Sequence, residues 1–135
     1  MTDCIFCKIV AGEIPADKVY EDEDFLAFLD IHPINLGHTL LIPKKHYENL
    51  FDLPSDLLEK IGPKIQLIAR AVLVGAGADA LNLGMNNGAS AGQLVGHAHL
   101  HLIPRFDDDG LQHWSAKEFS AEIFKETAEK IKKGL

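Results

Sequence analysis

Three histidines alternate with apolar residues in one short stretch, where residues 97–104 read His-Ala-His-Leu-His-Leu-Ile-Pro. Side chains alternate between the two faces of a β-strand, so a strand over residues 94–104 places the imidazoles of His97, His99 and His101 on one face and the apolar side chains on the other. An imidazole buried without a hydrogen bond or a metal is costly, so a core has no use for such a row. The stretch therefore predicts a buried strand that carries a functional site.

Three hypotheses account for the histidine row. The row is incidental on an exposed face, or its rings bind one metal ion with an open position, or one ring attacks an electrophilic phosphorus while its neighbours donate to the phosphoryl oxygens. The spacing alone does not choose between the last two. The loop over residues 86–93 favours the third, because its small residues let an anion approach backbone N–H groups. Asn86 and Gln93 supply amides, and Arg105, which follows the strand, supplies a cation for the same anion.

The remaining pattern predicts one α+β domain over residues 1–135, because its strands come in runs and its helices are set apart from them. The core is expected over residues 4–106 and a separate tail over residues 107–135. We expect an antiparallel sheet of about five strands, which is near the usual sheet size. The predicted strands cover residues 19–21, 25–29, 38–43, 80–86 and 94–104.

Three helices are expected beside this sheet. Apolar residues at helical spacing predict the main helix over residues 55–74, with a kink or a break at its internal proline and a stop at Gly75 and Gly77. A short helix is predicted over residues 4–11. The tail is predicted to form an amphipathic helix over residues 117–133.

The charge of the chain argues against one class of function. Thirteen basic and twenty acidic side chains give a net charge of −7 without a basic stripe, which disfavours a protein that binds nucleic acid by neutralising its phosphates. No basic region precedes an apolar one at the start, so we expect no signal peptide, and no apolar run reaches the roughly 18–20 residues of a membrane span. We expect a cytoplasmic protein with no membrane partner.

Cys4 and Cys7 are separated by two residues, which is the spacing of a metal knuckle. A redox interpretation would need this motif at a strand-to-helix turn of a βαβ unit, and the pattern shows none. A tetrahedral zinc ion needs two more ligands, which histidines can supply, and the alternative is a pair of buried thiols. Structural zinc is therefore the expected cofactor.

Residues 93–105, which read Gln-Leu-Val-Gly-His-Ala-His-Leu-His-Leu-Ile-Pro-Arg, resemble the signature of the histidine triad (HIT) family of nucleotide hydrolases and transferases. The resemblance covers about residues 4–106 and is closest to the branch that cleaves purine nucleoside phosphoramidates. It implies the HIT-like fold and a homodimer whose sheets join across the interface. Further segments that resemble family segments, in family order, are residues 5–9, 13–16, 28–31 and 38–46.

The resemblance implies hydrolysis of purine nucleoside phosphoramidates or adenylates at the α-phosphorus. His99 would be the nucleophile and form a nucleotidyl-histidine that water resolves into a nucleoside monophosphate. His101 would contact the phosphoryl oxygens, and His38 would belong to a hydrogen-bonded relay near the nucleophile. No catalytic metal is required. Two alternatives stay open: a dinucleoside polyphosphate hydrolase of the same family, and a purine nucleotide-binding sensor or scaffold with vestigial activity.

The resemblance also implies which residues bind the substrate and the metal. Asp30 would accept both ribose hydroxyls, although from the residues alone a cap of the following loop is the simpler role. Asn86 and Gln93 would bind phosphate or the leaving group. The purine pocket would be lined by Ile5, Phe6, Ile9, Phe28 and Ile31. The zinc ligands would be Cys4, Cys7, His46 and His97.

Two further positions bear on the site. Leu94 stands where the family often has Ser or Thr, so a hydroxyl that could help protonate a leaving amine is missing. This departure affects the expected leaving-group preference more than the nucleophile. Trp114 follows an acidic turn and could close over the site or cross to a partner subunit, although surface packing is the simpler expectation.

Overall fold

The protein is described by a computed structural model that covers residues 3–135. In chain order its main elements are α1 (Ile5–Val10), β1 (Lys18–Glu21), β2 (Phe25–Leu29), β3 (Thr39–Pro43), α2 (Ser55–Ala76), β4 (Ala80–Met85), β5 (Leu100–Arg105) and α3 (Ala121–Lys133), with short 3-10 helices at Leu50–Asp52 and Ala89–Ala91. The strands form one antiparallel sheet in the order β1-β2-β3-β5-β4. This confirms the predicted α+β architecture. None of the described helices combines the length and apolarity needed to cross a lipid bilayer.

Both faces of the sheet are covered, which explains why β2 and β3 are almost wholly apolar. His101 on β5 lies directly opposite Leu40 on β3, and opposed residues of an antiparallel pair share a face. Because Leu40 packs with α1, His101 lies on the α1 face of the sheet. The core on the α2 face contains Phe25, Ala27, Leu41, Leu53, Leu57, Ile68, Val72, Ala98 and Leu102. The core on the α1 face contains Phe6, Ile9, Leu26, Phe28, Leu40 and Ile42.

Helix α2 is unbroken across Pro63, so the predicted alternative of a break into two pieces is wrong. A proline removes only one backbone hydrogen bond, and the burial of Leu57 before it and Ile68 after it holds both halves against the same core. Gly77 ends the helix in the left-handed conformation, with φ 62°. Gly75, which the sequence also predicts as a stop, lies inside the helix, because one left-handed residue is enough to end it.

Strand β5 begins at Leu100, whereas the alternating pattern predicts a start at residue 94. Both neighbouring strands stop pairing at this point, where Leu100 lies opposite Leu41 on one side and Met85 on the other. Earlier residues have no ladder on which to continue the strand. The first two histidines of the row therefore lie in irregular chain that leads into β5, and only the third is in the strand.

Residues 111–135, here called the arm, follow the turn after β5, and every one of them is exposed. The arm consists of ten residues without regular structure, 111–120, followed by α3. Helix α3 begins at Ala121 and not at residue 117 as predicted, because the hydroxyl of Ser120 accepts a hydrogen bond from the N–H of Ile123 and caps the helix there. The helix exposes its apolar side chains as well as its charged ones.

Candidate functional site

His99 is positioned by one short hydrogen bond and one aromatic ring. Its Nδ1 lies 2.6 Å from the carbonyl oxygen of His97, and because a carbonyl only accepts, Nδ1 carries the proton. In this tautomer the lone pair is on Nε2, which is the atom that can attack an electrophile. The ring of Phe6 packs nearly perpendicular to it, with the two centroids 5.2 Å apart. His99 is thus held in one orientation with one nitrogen free.

His38 and His101 form a chain of hydrogen bonds with a defined direction. The N–H of Ile34 donates to Nδ1 of His38 at 3.1 Å, so the proton of a neutral His38 is on Nε2. This Nε2 lies 2.9 Å from Nδ1 of His101 and donates to it. The proton of a neutral His101 is then on its own Nε2, which is buried and has no partner among the described residues. A buried donor without a partner marks a place for the acceptor atom of a ligand.

Burial keeps both rings of this chain neutral near pH 7. It lowers the pKa of His101 to about 4, and the neighbouring rings of His99 and His38 contribute to the shift. Burial also lowers the pKa of His38, which the carboxylate of Asp30 opposes. Neutral rings are what the hydrogen bond between His38 and His101 requires, because one nitrogen must donate and the other must accept.

The two carboxylate oxygens of Asp30 face different partners, one in the following loop and one at His38. Its Oδ1 accepts the N–H of His32 at 2.8 Å, which is the loop cap expected from the residues alone. Its Oδ2 lies 3.7 Å from Nε2 of His38. The side chain is partly exposed, so a hydroxyl-bearing ligand can reach this second oxygen.

The side chain of Gln93 stabilises the loop that precedes the histidines through three hydrogen bonds. Its Oε1 accepts the N–H of Gly88 at 2.8 Å, and its Nε2 donates to the carbonyls of Glu48 at 2.6 Å and Val95 at 3.0 Å. Both polar ends of this amide are therefore engaged within the chain. Asn86, by contrast, makes a single long hydrogen bond of 3.4 Å and lines the cleft beside His101.

The residues that the resemblance assigns to the purine pocket fall into two groups. Phe6, Ile9 and Phe28 are buried in the core between α1 and the sheet. Ile5 and Ile31 are 41% and 75% exposed. The exposed pair can touch a ligand directly, whereas the buried three can only form the wall behind it.

A cleft of about 530 Å³ opens beside His101. This volume lies in the range of small-molecule sites. The walls of the cleft come from β4, β5 and the first residues of the arm, including His113 and Trp114. These two residues are not among those that the histidine row or the resemblance assigns to the site. Their signal in the sequence is the chain's single tryptophan after the acidic turn, which is expected to pack on the surface, with closure over the site or a crossing to a partner subunit as the alternatives.

The guanidinium of Arg105, which follows the histidine row, is hydrogen-bonded to side chains of its own domain. Its Nε and Nη2 donate to the carboxylate of Asp109 at 2.7 and 3.1 Å, and its Nη1 donates to Asn82 at 2.7 Å. The same carboxylate accepts the N–H groups of Phe106 and Leu111. These contacts hold the pKa of Asp109 well below its usual range and raise that of Arg105. The guanidinium therefore closes the turn after β5 and is not free to bind an anion.

Cys4, Cys7, His46 and His97 come together at the start of α1, with their four candidate ligand atoms within 4.8 Å of one another. Nδ1 of His97 lies 3.4 Å from Sγ of Cys4 and 3.6 Å from Sγ of Cys7, and Nδ1 of His46 lies 3.4 Å from Sγ of Cys7. A tetrahedral zinc ion with Zn–S of about 2.3 Å and Zn–N of about 2.0 Å has S···N edges of about 3.5 Å. These distances fit one tetrahedral ion.

The protonation of this cluster also fits a metal. Nε2 of His97 lies 2.8 Å from the carbonyl of Pro43 and must donate to it, so the lone pair of Nδ1 faces the sulfur atoms. Burial lowers the pKa of His97, which favours the neutral ligand form. Burial and the neighbouring Cys4 raise the pKa of the Cys7 thiol, and a bound cation reverses such a shift because it binds the thiolate. The donor set therefore suits zinc.

A second group, Asp30, His38 and His101, also brings three candidate ligand atoms within 4.8 Å. Two of its nitrogens already share one hydrogen, at 2.9 Å. A metal here would have to replace that hydrogen bond, whereas in the cysteine cluster the lone pair of His97 is already free. The cysteine cluster is therefore the better metal site of the two.

Comparison with known proteins points to one family. The family model for the HIT domain matches residues 11–108. The chain is 42% identical over 132 residues to adenylylsulfatase HINT3 of Arabidopsis thaliana, a match that covers 96% of this chain and 66% of that protein. It is 42% identical over 117 residues to adenosine 5'-monophosphoramidase HNT1 of Saccharomyces cerevisiae, covering 85% of this chain and 72% of that protein.

Two solved structures are similar over most of the chain. SMU.412c from Streptococcus mutans superposes with a TM-score of 0.93 at 46% identity and covers 99% of this chain and 86% of that one. A match over 99% of this chain extends into the arm, which makes up 25 of the 135 residues. A zinc-bound histidine triad family protein from Mycobacterium smegmatis superposes with a TM-score of 0.77 at 43% identity, covering 87% of this chain and 85% of that one.

Proposed function

The chain belongs to the HIT domain family, and from this we propose that it is a nucleotide hydrolase that cleaves purine nucleoside phosphoramidates and adenylates at the α-phosphorus. The observation that carries the proposal is the free Nε2 of His99 beside the unpartnered Nε2–H of His101, on rings whose centroids are 5.0 Å apart. A nucleophile and an oxyanion donor at this separation can act on one phosphoryl group. The relatives named as an adenylylsulfatase and a 5'-monophosphoramidase support this substrate class.

In the first step, Nε2 of His99 attacks the α-phosphorus, and the P–N bond of a phosphoramidate or the P–O bond of an adenylate breaks. A leaving amine takes its proton from solvent, while the Nε2–H of His101 donates to a phosphoryl oxygen. In the second step, water attacks the phosphorus of the nucleotidyl-histidine and loses a proton to solvent. The bond between phosphorus and Nε2 of His99 breaks, its electron pair returns to the ring, and the nucleoside monophosphate is released. The carbonyl of His97 holds Nδ1–H of His99 in both steps, so the ring keeps one tautomer.

Substrate binding follows from the residues around this pair. We assign Oδ2 of Asp30 to the ribose hydroxyls and the exposed Ile5 and Ile31 to the purine, with Phe6, Ile9 and Phe28 behind them. Asn86, which is nearly free, binds phosphate or the leaving group. Gln93 shares this role only by exchanging one of its loop hydrogen bonds.

The cysteine cluster is assigned to structural zinc, held by Cys4, Cys7, His46 and His97. When bound, the ion supplies a cross-link between α1 and the segment that leads into β5. Four protein ligands leave no open position for a substrate, so the reaction needs no metal at this site. Because thiolate ligands persist in a reducing compartment, the cluster supports a cytoplasmic location.

The edge strand β4 supports a homodimer whose sheets join. Its six residues read Ala-Leu-Asn-Leu-Gly-Met, carry no charge and face no further strand within the described residues. The opposite edge, β1, carries Lys18 and Glu21 at its ends and an irregular register, which are features that discourage pairing. The β4 edge is therefore the one available for a second copy.

The decisive experiment is to quench the enzyme during turnover of adenosine 5'-phosphoramidate and to weigh its peptides. An adenylyl adduct is expected on the peptide that contains His99. The variant His99→Ala is expected to lose at least about 10³-fold in kcat, while the same change at the exposed His32 leaves kcat within about twofold. A persistent absence of the adduct under rapid quench contradicts the nucleophile assignment.

A panel of substrates separates the alternatives. Adenosine phosphoramidate, adenylyl sulfate and diadenosine polyphosphates are compared by kcat/KM. Faster cleavage of the diadenosine polyphosphates identifies the dinucleoside polyphosphate hydrolase. Turnover at background level in the wild type together with tight nucleotide binding identifies the sensor or scaffold.

A further inference from the structure

The loop over residues 31–37, here called the His38 loop, leads from β2 to β3 and turns its apolar side chains outward. Ile31, Ile34 and Leu36 are 75%, 51% and 84% exposed. Asn35 is only partly exposed, although the residues on both sides of it are exposed. Burial of apolar surface therefore contributes little to holding this loop, and hydrogen bonds have to fix its conformation.

The side-chain amide of Asn35 reaches from this loop to the end of β5 and the turn that follows. Its Nδ2 donates to the carbonyl of Pro104 at 2.8 Å and to Oδ2 of Asp109 at 3.1 Å. Both hydrogens of the amide are thus used on groups that only accept, which defines its orientation. The Asp109 side chain is 6% exposed and is itself paired with Arg105. Asn35 is therefore anchored to a turn that is already cross-linked.

The backbone beside this amide holds His38 at two points. The carbonyl oxygen of Asn35 accepts the N–H of His38 at 3.0 Å. The N–H of the preceding residue, Ile34, donates to Nδ1 of His38 at 3.1 Å and so keeps the proton of a neutral ring on Nε2. Both contacts come from one pair of neighbouring residues in an exposed loop. A shift of that pair would loosen both at once.

The tautomer of His38 decides which nitrogen of His101 carries a proton. A neutral imidazole without a fixed partner can hold its proton on either nitrogen. If His38 were protonated on Nδ1, its Nε2 would turn a lone pair toward Nδ1 of His101, which lies 2.9 Å away. His101 would then have to donate from Nδ1, and its buried Nε2 would lose the hydrogen that faces the cleft.

We propose that Asn35 is a positioning residue that fixes the tautomer of His38. Its anchored amide holds the His38 loop, and the loop presents the N–H of Ile34 to Nδ1 of His38. Asn35 itself touches no reacting atom. The effect on catalysis rests on the proposed function, because it is exerted through the Nε2–H of His101, whereas the effect on the tautomer does not.

The imidazole ¹⁵N resonances of full-length, zinc-loaded protein containing ¹⁵N-labelled histidine report the tautomer near neutral pH. Those of His38 are identified by their absence in His38→Phe. In the wild type, Nδ1 is expected to resonate as an unprotonated nitrogen and Nε2 as a protonated one. In Asn35→Ala the two resonances are expected to move toward each other, because both tautomers become populated. Unchanged resonances in that variant overturn the proposal.

Two further variants complete this measurement. Asn49→Ala is the matched control, since Asn49 is also partly exposed and its side chain caps a 3-10 helix by accepting the N–H of Phe51. It is expected to leave the His38 resonances unchanged. Asn35→Ser keeps one donor on a shorter side chain and should shift the resonances in the same direction by less. It serves as the test if the alanine variant does not fold.

Steady-state kinetics separate positioning of the ring from binding of the substrate. For adenosine phosphoramidate, Asn35→Ala is expected to lower kcat about tenfold and to leave KM within about threefold of the wild type. Asn49→Ala should keep both within about twofold. A raised KM with an unchanged kcat overturns the proposal, because the loop would then act on substrate binding alone.

Combining Asn35→Ala with His38→Phe tests whether Asn35 acts through His38. If it does, the double variant has about the same kcat as His38→Phe alone, because the chain of hydrogen bonds is already interrupted. A further loss of about tenfold in the double variant overturns the proposal. A wild type that does not cleave the phosphoramidate would refute the proposed function, and the ¹⁵N resonances would still decide the role of Asn35.

Discussion

Nδ1 of His99 donates to the backbone carbonyl of His97 across 2.6 Å, while the ring of His97 itself turns toward two cysteine sulfurs. Two histidines only two positions apart thus belong to different sites and are joined by one hydrogen bond. The cysteine cluster that is proposed to bind zinc includes His97, whose carbonyl sets the tautomer of the proposed nucleophile.

Replacing His38 interrupts the chain of hydrogen bonds that ends at His101. In His38→Phe the ring volume is kept, but Nδ1 of His101 loses its donor and its proton is no longer confined to Nε2. We expect kcat for adenosine phosphoramidate to fall about 10- to 100-fold, as for other residues that orient a functional histidine. The same substitution at the exposed His32 is the control. Equal kcat values for the two variants would show that the relay has no catalytic role.

The stability of the protein is expected to fall below pH 6.5 because of His101. Its pKa is lowered from an ordinary value near 6.5 to about 4, so the unfolded chain takes up this proton before the folded one does. The cost is absent above pH 6.5 and grows as the pH falls toward 4, reaching about 2 kcal/mol at pH 5. Urea unfolding at pH 7 and pH 5 measures it. The variant His101→Gln should lose less stability over this interval than the wild type, and an equal loss contradicts the assignment.

Removing zinc is expected to destabilise the fold and to spare the chemistry. A chelator should lower Tm of the wild type by at least about 5 °C and leave the double variant Cys4→Ser, Cys7→Ser unaffected. The kcat of the protein that remains folded should stay within about threefold of its value with zinc. Activity that disappears on chelation and returns only with added metal would favour a catalytic metal ion.

The turn after β5 is expected to depend on one carboxylate. Asp109→Asn weakens the contacts to Arg105 and replaces one acceptor oxygen with a donor nitrogen, which disturbs the bonds to the backbone of the same turn. We expect Tm to fall by several degrees. Asp108→Asn makes the same change at an exposed neighbour and is expected to have no effect. Thermal unfolding of the two variants side by side measures the difference.

Leu94 is expected to influence which leaving groups are accepted. Leu94→Ser introduces a hydroxyl that can help protonate a departing amine, and so should raise kcat/KM for adenosine phosphoramidate about tenfold relative to adenylyl sulfate, whose leaving group needs no proton. Leu50→Ser makes the same change on the adjoining loop as a control. A ratio of kcat/KM values that does not change in either variant argues against this role.

The parts of the fold that the sequence predicts are those governed by local periodicity. The apolar strands β2 and β3, the spacing of apolar residues in α2 and the alternation from Leu100 onward each identify an element from its own residues. The end of α2 at Gly77 is also predicted from the sequence, because one residue in the left-handed conformation is enough to end a helix. The grouping of the cysteines with His97 was predicted through the family resemblance, and the distances agree with a metal site.

The parts that local patterns do not predict depend on distant partners. The start of β5 is fixed by where β3 and β4 stop pairing, which the residues of β5 do not encode. Arg105 resembles an anion-binding residue in the sequence, but a turn aspartate, Asp109, engages it. Gln93 similarly offers an amide in the sequence, but both polar ends of it are hydrogen-bonded to backbone groups, those of Gly88, Glu48 and Val95. In each case the group that decides the outcome is a backbone group or a turn residue, and no sequence motif marks it.

The long sequence separation between Cys4 and His97 in the proposed zinc site has a consequence for biosynthesis. Cys4 and His97 are 93 positions apart, so at typical elongation rates the ribosome completes the second roughly 5 to 20 seconds after the first. Until residue 97 has been added, the two thiols lack at least one of the two histidines that complete the cluster. A reducing compartment during translation therefore keeps both thiols available for it.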